Sequence, residues 1–350
     1  MNTFFLDRLN SEPHALAFAG QSTPWPVALA DQSANPALDE ALHTHAAAAQ
    51  ALLYPVSAEL LATTGRPVDL FGFEPNPARL GAAAAASASV PGIALTQLGA
   101  LLDAAALGYN PTQAKPVAVL GHSQGVLAVH MVQAICEAGS IDAAAAKIDE
   151  ILAIATLIGV AGTRQARQLG LAARHGEATP MLSVKDITRV QVDALIERVD
   201  GARGPIAVAV TNSATHYVLS GYPEDLAAFG VEVAKEHKRQ AQLREEKVRG
   251  GRVFGPTLEY LDVTLPFHSP LMADAVSQAV AWAEACGINA DHARELAAEV
   301  LLNHVDWAAR VRALMKSTDP SALWVLDFGP GNTVGKLFST VAQGTGVGVV

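Results

Sequence analysis

The sequence predicts an α/β protein, a doubly wound core sheet interrupted by a smaller ferredoxin-like subdomain, and three observations carry that prediction. Short apolar runs closed by glycine recur at "HALAFAG" (14–20), "PVAVLG" (116–121) and "ALWVLDFG" (322–329), the pattern of parallel strands covered on both faces. Alanine-rich helical stretches separate these runs, as a doubly wound sheet requires. From about 178 to 266 the order changes to βαββαβ, the ferredoxin-like pattern. With 350 residues, half of them hydrophobic, the chain can bury a substantial core.

Taken in order, the first strand ends at Gly20-Gln21 and a Ser-Thr-Pro loop, and a helical region follows from about Asn35. The alanine runs "GAAAAASASV" (81–90) and "DAAAAK" (142–147) are helix formers, not repeats. The strand at 116–121 runs straight into Gly-His-Ser-Gln-Gly and then into the apolar helix "VLAVHMVQAI". The middle of the chain supplies strand "MLSVKD" (181–186), helix "RVQVDALIERV" (189–199), strands "IAVAVTNS" (206–213) and "HYVLSG" (216–221), a charged helix from Pro223 into the 240s, and strand "LEYLDVTL" (258–265). The expected division is therefore a core of 1–177 and 267–350 with an insertion of 178–266.

A net charge of −10 and a pI near 5.5 argue against nucleic acid, whose phosphates call for basic surface. Lys235 to Arg252 is a local exception, seven Lys or Arg against three Glu, which reads as a solvated helix face or as a contact for carrier or coenzyme phosphates. Cys136 and Cys286 lie in helix-like apolar stretches, fit neither a disulfide framework nor a zinc pattern, and are expected to be buried thiols. No continuous apolar run is long enough to span a membrane, and the start lacks the layout of a signal peptide. A soluble, cytoplasmic protein without a membrane partner is expected. The closing run "GTGVGVV" is strand-like with no polar tail, which suggests a domain excised from a longer chain.

Glycines around a serine between strand and helix form a nucleophile elbow, which lifts the hydroxyl clear of the backbone and makes Ser123 the candidate nucleophile. A serine hydroxyl needs an adjacent base, most often histidine. His122 is a poor choice, because neighbours on a tight elbow point apart. His268 in "LPFHSPLM" is better situated, where the chain returns from the insertion to the core, and His304 in "LLNHVDW" is its rival. The backbone N–H of Gln124 is the expected oxyanion donor, with Gln21 as the candidate for the second.

Six ordered blocks, "FAGQSTPW", "GHSQG", "VTNSATHYVLSG", "LPFHSPLM", "LLNHVDW" and "VLDFGPGNTVGKL", resemble the acyl-CoA:acyl-carrier-protein acyltransferases, the malonyl/acetyl transacylase family. The wording is closest to the acetyltransferase domain of fungal and actinobacterial type I fatty acid synthases, and it covers about residues 14–340. The resemblance implies an α/β-hydrolase-like core with a ferredoxin-like insertion and ping-pong transfer through an acyl-Ser123 ester. It implies that His268 is the base, oriented by a backbone carbonyl near Val300 in place of a carboxylate, and that His304 is structural. Gln21 and Gln124 would hold the oxyanion, and His122, Ile158 and Asn212 would line the acyl pocket. No metal or permanently bound cofactor is implied. The donor would be a CoA ester, the acceptor the phosphopantetheine arm of an acyl carrier protein domain, and the other partners the remaining domains of the synthase.

One departure bears on the substrate. Malonyl-transferring members carry Arg-Gly on the helix after the elbow helix, where this chain has Ile158-Gly159. Arg164, six residues on, is turned about 240° away along the same helix. A buried malonyl carboxylate would remain unpaired, so the pocket is expected to prefer acetyl. A thioesterase or esterase on the same elbow stays open, since Asp186, Asp193, Asp200 and Asp262 lie between Ser123 and His268 as possible third members of a triad. A malonyl-transferring member and a catalytically silent docking domain stay open as well.

Overall fold

A computed structural model describes residues 12–21, 23–65, 67, 69, 85–171, 178–245 and 255–350. The N-terminal stretch, Ser22, the first residues of the 81–90 alanine run, the boundary at 177 and the last part of the 235–252 cationic stretch lie outside the described residues.

Strand β1 (His14–Phe18) is buried along its whole length and pairs in parallel with β2 (Ala118–Gly121) on one side and with β8 (Trp324–Asp327) on the other. Strand β9 (Gly348–Val349) adds to β8, so the core sheet has the order β2-β1-β8-β9. Crossovers among parallel strands need helices, and the helices here carry their own start signals. Helix α1 (Trp25–Ser33) opens with Pro26 in its first turn. In α2 (Pro36–Leu52) the Asn35 side chain accepts the Ala37 N–H. Helices α3 (Ser57–Thr64), α4 (Ala86–Ala106) and α5 (Val126–Ala138) follow. The Ser140 hydroxyl then caps the 28-residue α6 (Ile141–Gln168), which is buried over most of its C-terminal half against α4, α5 and α2. Helix α4 is long and apolar enough to cross a membrane by length and composition alone, but 78% of its apolar window is buried in the protein, which makes it a core helix.

The inserted unit runs β3 (Met181–Lys185), α7 (Arg189–Ile196), β4 (Ala207–Ser213), β5 (His216–Ser220), α8 (Pro223–Glu245), β6 (Thr257–Tyr260). Thr188 and Gln191 form a reciprocal capping box at the start of α7. The strands pair antiparallel in the order β6-β3-β5-β4. Alternation along them divides the two faces. Leu182, Val184, Tyr217 and Leu219 join Leu226, Phe229 and Val233 in a separate small core, while Met181 and Val218 pack into the main one. Ser183 and His216 lie on this second face.

The chain then forms α9 (Ala273–Ala285), α10 (Ala290–Leu301), β7 (Val305–Asp306), α11 (Trp307–Ser317), β8 and α12 (Thr333–Val341). Strand β7 pairs in parallel with β4, so a fifth strand from outside 178–266 covers the edge of the inserted sheet. Pattern reading missed it, because two residues are too short for any periodicity. Cys136 also departs from expectation. The buried stripe of α5 is Met131, Val132, Ala134 and Ile135, which leaves Cys136 exposed on the next face, and Cys286 is only partly covered.

Candidate active site

The ends of β1, β2 and β8 converge at the carboxyl edge of the core sheet, where such sheets hold their functional groups. There the Ala19 N–H donates to Gly329 O (3.0 Å), and Gln97 of α4 donates to Ala19 O (2.7 Å). The turn at the end of β2 is forced by packing. A Cβ on Gly121 would stand 2.4 Å from Val126 N, and one on Gly125 would stand 2.3 Å from Phe18 O. Between them Ser123 adopts φ +55°, a left-handed conformation unusual for a non-glycine residue.

His268 is also left-handed, with φ +56°, on the loop that returns from β6 to the core. Its Nε2 lies 2.7 Å from Ser123 Oγ, and its Nδ1–H donates to Asn303 O at 2.8 Å. The carbonyl can only accept, so it holds the proton on Nδ1 and leaves Nε2 free to take the serine proton. Burial pushes the His268 imidazole down to about 3, against the pull of the Asn303 carbonyl and with help from the charges of His122, His304 and Arg310. His268 is therefore neutral at ordinary pH.

The carbonyl expected near Val300 is supplied by Asn303 instead. Val300 and Leu301 still belong to α10, Leu301 O is taken by the Ser269 N–H (3.1 Å), and the chain reaches the ring two residues beyond the helix. Because a main-chain carbonyl occupies this place, none of Asp186, Asp193, Asp200 and Asp262 is the partner of His268 Nδ1. His304 is exposed, with Nδ1 on Val208 O (2.8 Å) and Nε2 on Thr211 Oγ1 (3.2 Å), and thus ties α10 and β7 to the inserted sheet.

The Gln21 side chain donates to Gln124 Oε1, which draws the loop after β1 against the elbow, and Gln124 is fully buried. His122 Nε2–H donates to Asn212 Oδ1 (2.8 Å), and its ring meets Trp307 edge-on at 5.4 Å. Burial lowers its pKa. Asn212 Nδ2 lies 3.4 Å from His216 Nε2, and Ser183 Oγ lies 3.0 Å from the same nitrogen. A polar chain thus runs from the elbow into the inserted sheet. Burial pushes His216 down to about 4. Ile158 sits fully buried in the C-terminal half of α6, while Arg164 is directed elsewhere, its guanidinium 5.9 Å over the Trp282 ring. Among the described residues no group of His, Cys, Asp and Glu is arranged to hold a metal ion.

Sequence reading missed Asn303, His216, Ser183, Trp307 and Arg310 around this site. A main-chain carbonyl leaves no signal in residue type. His216 was within reach, because period-two alternation puts it on the same face of β5 as Val218.

Comparison with known proteins gives three consistent likenesses. The family model described as "Fatty acid synthase central AT domain" matches residues 180–260. The fatty acid synthase beta subunit TOXC of Cochliobolus carbonum is 27% identical over 308 residues, covering 76% of this chain and 14% of the relative. The beta subunit of Saccharomyces cerevisiae is 25% identical over 296 residues, with 75% and 14% covered. The chain thus spans about a seventh of the length of these curated relatives. Among solved structures, MCAT from Mycobacterium tuberculosis superposes with a TM-score of 0.61 at 19% identity over 96% of each chain. The malonyl CoA-acyl carrier protein transacylase of Coxiella burnetii gives 0.61 at 15% identity, with 97% of this chain and 93% of that one covered. The fold is accordingly the transacylase fold, a large α/β-hydrolase-like subdomain with a smaller ferredoxin-like one. The chain resembles the acyl-CoA:acyl-carrier-protein acyltransferases of fatty acid synthases, as the sequence blocks suggested.

Proposed function

We propose that this chain transfers an acyl group, acetyl in preference to malonyl, from coenzyme A to the phosphopantetheine thiol of an acyl carrier protein, by way of an ester on Ser123. The observation that carries the reading is the Ser123 Oγ to His268 Nε2 contact of 2.7 Å, with Asn303 O behind the ring.

As Ser123 Oγ attacks the thioester carbonyl, its proton passes to His268 Nε2, and the Asn303 carbonyl steadies the imidazolium that forms. The main-chain N–H groups of Gln124 and Gln21 are the donors for the oxyanion. When the C–S bond breaks, the imidazolium returns the proton to the departing CoA thiolate. In the second half the carrier thiol gives its proton to His268, attacks the Ser123 ester, and leaves as the acyl-carrier thioester while the proton returns to Ser123. His122, Asn212 and Ile158 are assigned to the acyl pocket. The buried Ile158 and the turned-away Arg164 support acetyl as the preferred group, since the other cations of α6 are also engaged, Arg167 on Thr63 O and Lys147 on Glu150, and a malonyl carboxylate would go unpaired. The structural relatives named above are malonyl transferases, and what sets this chain apart from them is Ile158 with no cation of α6 beside it. The proposal extends to a cytoplasmic setting, to a starter-loading role beside the other domains of a type I synthase, and to the absence of a resident cofactor or membrane partner.

The test is intact mass after mixing the protein with acetyl-, malonyl- and longer acyl-CoAs, followed by addition of carrier protein. Acetylation of Ser123 that is discharged by the carrier supports the reading. Steady hydrolysis indifferent to the carrier would favour a thioesterase, and no acylation at all would leave an inert module.

A further inference from the structure

The stretch 301–310 runs past both reacting residues and the inserted sheet. Leu301 O holds Ser269, Asn303 O holds His268, His304 and β7 join the inserted sheet, and Trp307 meets the His122 ring. Arg310, on the first turn of α11, completes the set. It is half-buried, and its Nη1 donates to Gly121 O at 2.8 Å. Gly121 is the last residue of β2, two before the nucleophile. Among the described residues no carboxylate pairs with Arg310, on a chain of net charge −10. A partly buried cation without a counter-charge is costly, and a single carbonyl offsets only part of that cost.

We propose that Arg310 is a positioning residue for the reacting pair: it seats the end of β2, two residues before Ser123, through the Gly121 carbonyl and places an unneutralised charge beside the elbow. The inference rests on reading Ser123 and His268 as that pair. The charged or titratable groups whose fields reach His268 are those of His122 from the elbow, His304 from the segment after α10, and Arg310 from α11. A nearby cation disfavours the imidazolium, so Arg310 keeps the base free to lower pH than burial alone would. Without the guanidinium, the Gly121 carbonyl loses its charged donor and the elbow has one fewer anchor.

The experiment follows covalent labelling of Ser123 by phenylmethylsulfonyl fluoride as a function of pH, in wild type, Arg310→Lys, Arg310→Gln and Arg310→Met. This reagent needs only the nucleophile and its base, so the result stands even if no CoA ester proves to be a substrate. Arg310→Met should label about 10- to 100-fold more slowly at the plateau, the span of one charged hydrogen bond. Its acid limb should also move to higher pH. Arg310→Lys should keep the wild-type limb, because the charge remains. Arg310→Gln, whose amide can still donate to Gly121 O, should move the limb while losing less rate than Arg310→Met. Thermal melts identify any variant that fails to fold, and the remaining variants then decide. Wild-type labelling in Arg310→Met, or a rate loss with the limb unmoved in all three variants, overturns the proposal. So does unchanged labelling with a selective loss of malonyl-CoA acylation, which would make Arg310 a carboxylate-binding residue instead.

Discussion

Replacing Ile158 by arginine tests the substrate argument at the one position on which it rests. Ile158 is fully buried in the C-terminal half of α6, and the cations of that helix are engaged elsewhere: Arg164 lies over Trp282, Arg167 donates to Thr63 O, and Lys147, three turns away, pairs with Glu150. If a malonyl carboxylate would end against Ile158, a guanidinium there supplies a charge-assisted pair of about 1.5 to 3 kcal/mol, or roughly 10- to 100-fold in discrimination. The opposing effect is overpacking and desolvation. Arginine is longer than isoleucine, and forcing extra volume into a packed core costs about 1 to 3 kcal/mol even before the charge is considered. With acetyl bound the charge has no partner, so acetyl transfer and thermal stability should both fall while malonyl transfer rises. The assay is kcat/KM for acetyl-CoA and malonyl-CoA in both proteins, with Tm measured alongside. A wild type that uses malonyl-CoA as well as acetyl-CoA refutes the reasoning, because another cation must then bind the carboxylate. A folded variant that loses both activities equally shows that Ile158 does not face the acyl terminus.

Ser123→Ala should abolish the covalent acyl-enzyme, and His268→Ala should slow its formation by about 10²- to 10⁴-fold without unfolding the protein; intact mass and stopped-flow acylation measure both, and a comparable loss in His304→Ala instead would exchange the two histidines' roles. His268 and His216 titrate near 3 and 4 in the folded protein against 6.5 for an unperturbed histidine. Between those values the unfolded chain binds more protons, so their contribution is complete above pH 6.5 and is lost as pH falls towards 4 and then 3. Tm should drop across that range and drop less in His216→Gln, whereas identical pH profiles for the two proteins would contradict the assignment. Carrier binding should weaken with salt if the cationic part of α8 contacts it. Lys238→Glu should then weaken it more than Arg239→Glu, because the Arg239 charge is already spent on Glu236 at 2.6 Å. Salt-independent binding, measured by calorimetry, would return α8 to the role of a solvated face.

The parts of this molecule that could be read from sequence are those in which side-chain type reports directly on environment. Apolar "ALAF" behind His14 announces a strand buried on both faces, and β1 is buried at every position. Glycines at 121 and 125 announce an elbow, and each is where a Cβ would collide with main chain. Ser123 and His268 could be named because few residue types can act as nucleophile and base, and the fold brings them within 2.7 Å. What escaped the reading has the opposite character. The orienting carbonyl of Asn303 and the Gly121 carbonyl that holds Arg310 belong to the main chain, which every residue shares. Strand β7 exists only because α10 ends where the edge of β4 is free to pair, a fact of tertiary geometry and not of local propensity. Cys136 looked buried because its neighbours are apolar, yet at 100° per residue, or about a quarter turn, it falls just outside the buried stripe of α5. On the proposed function the chemistry needs groups that must be a serine and a histidine, while the acyl preference turns on the space and charge around Ile158, where α4 and α5 pack against α6 through residues that no local pattern marks.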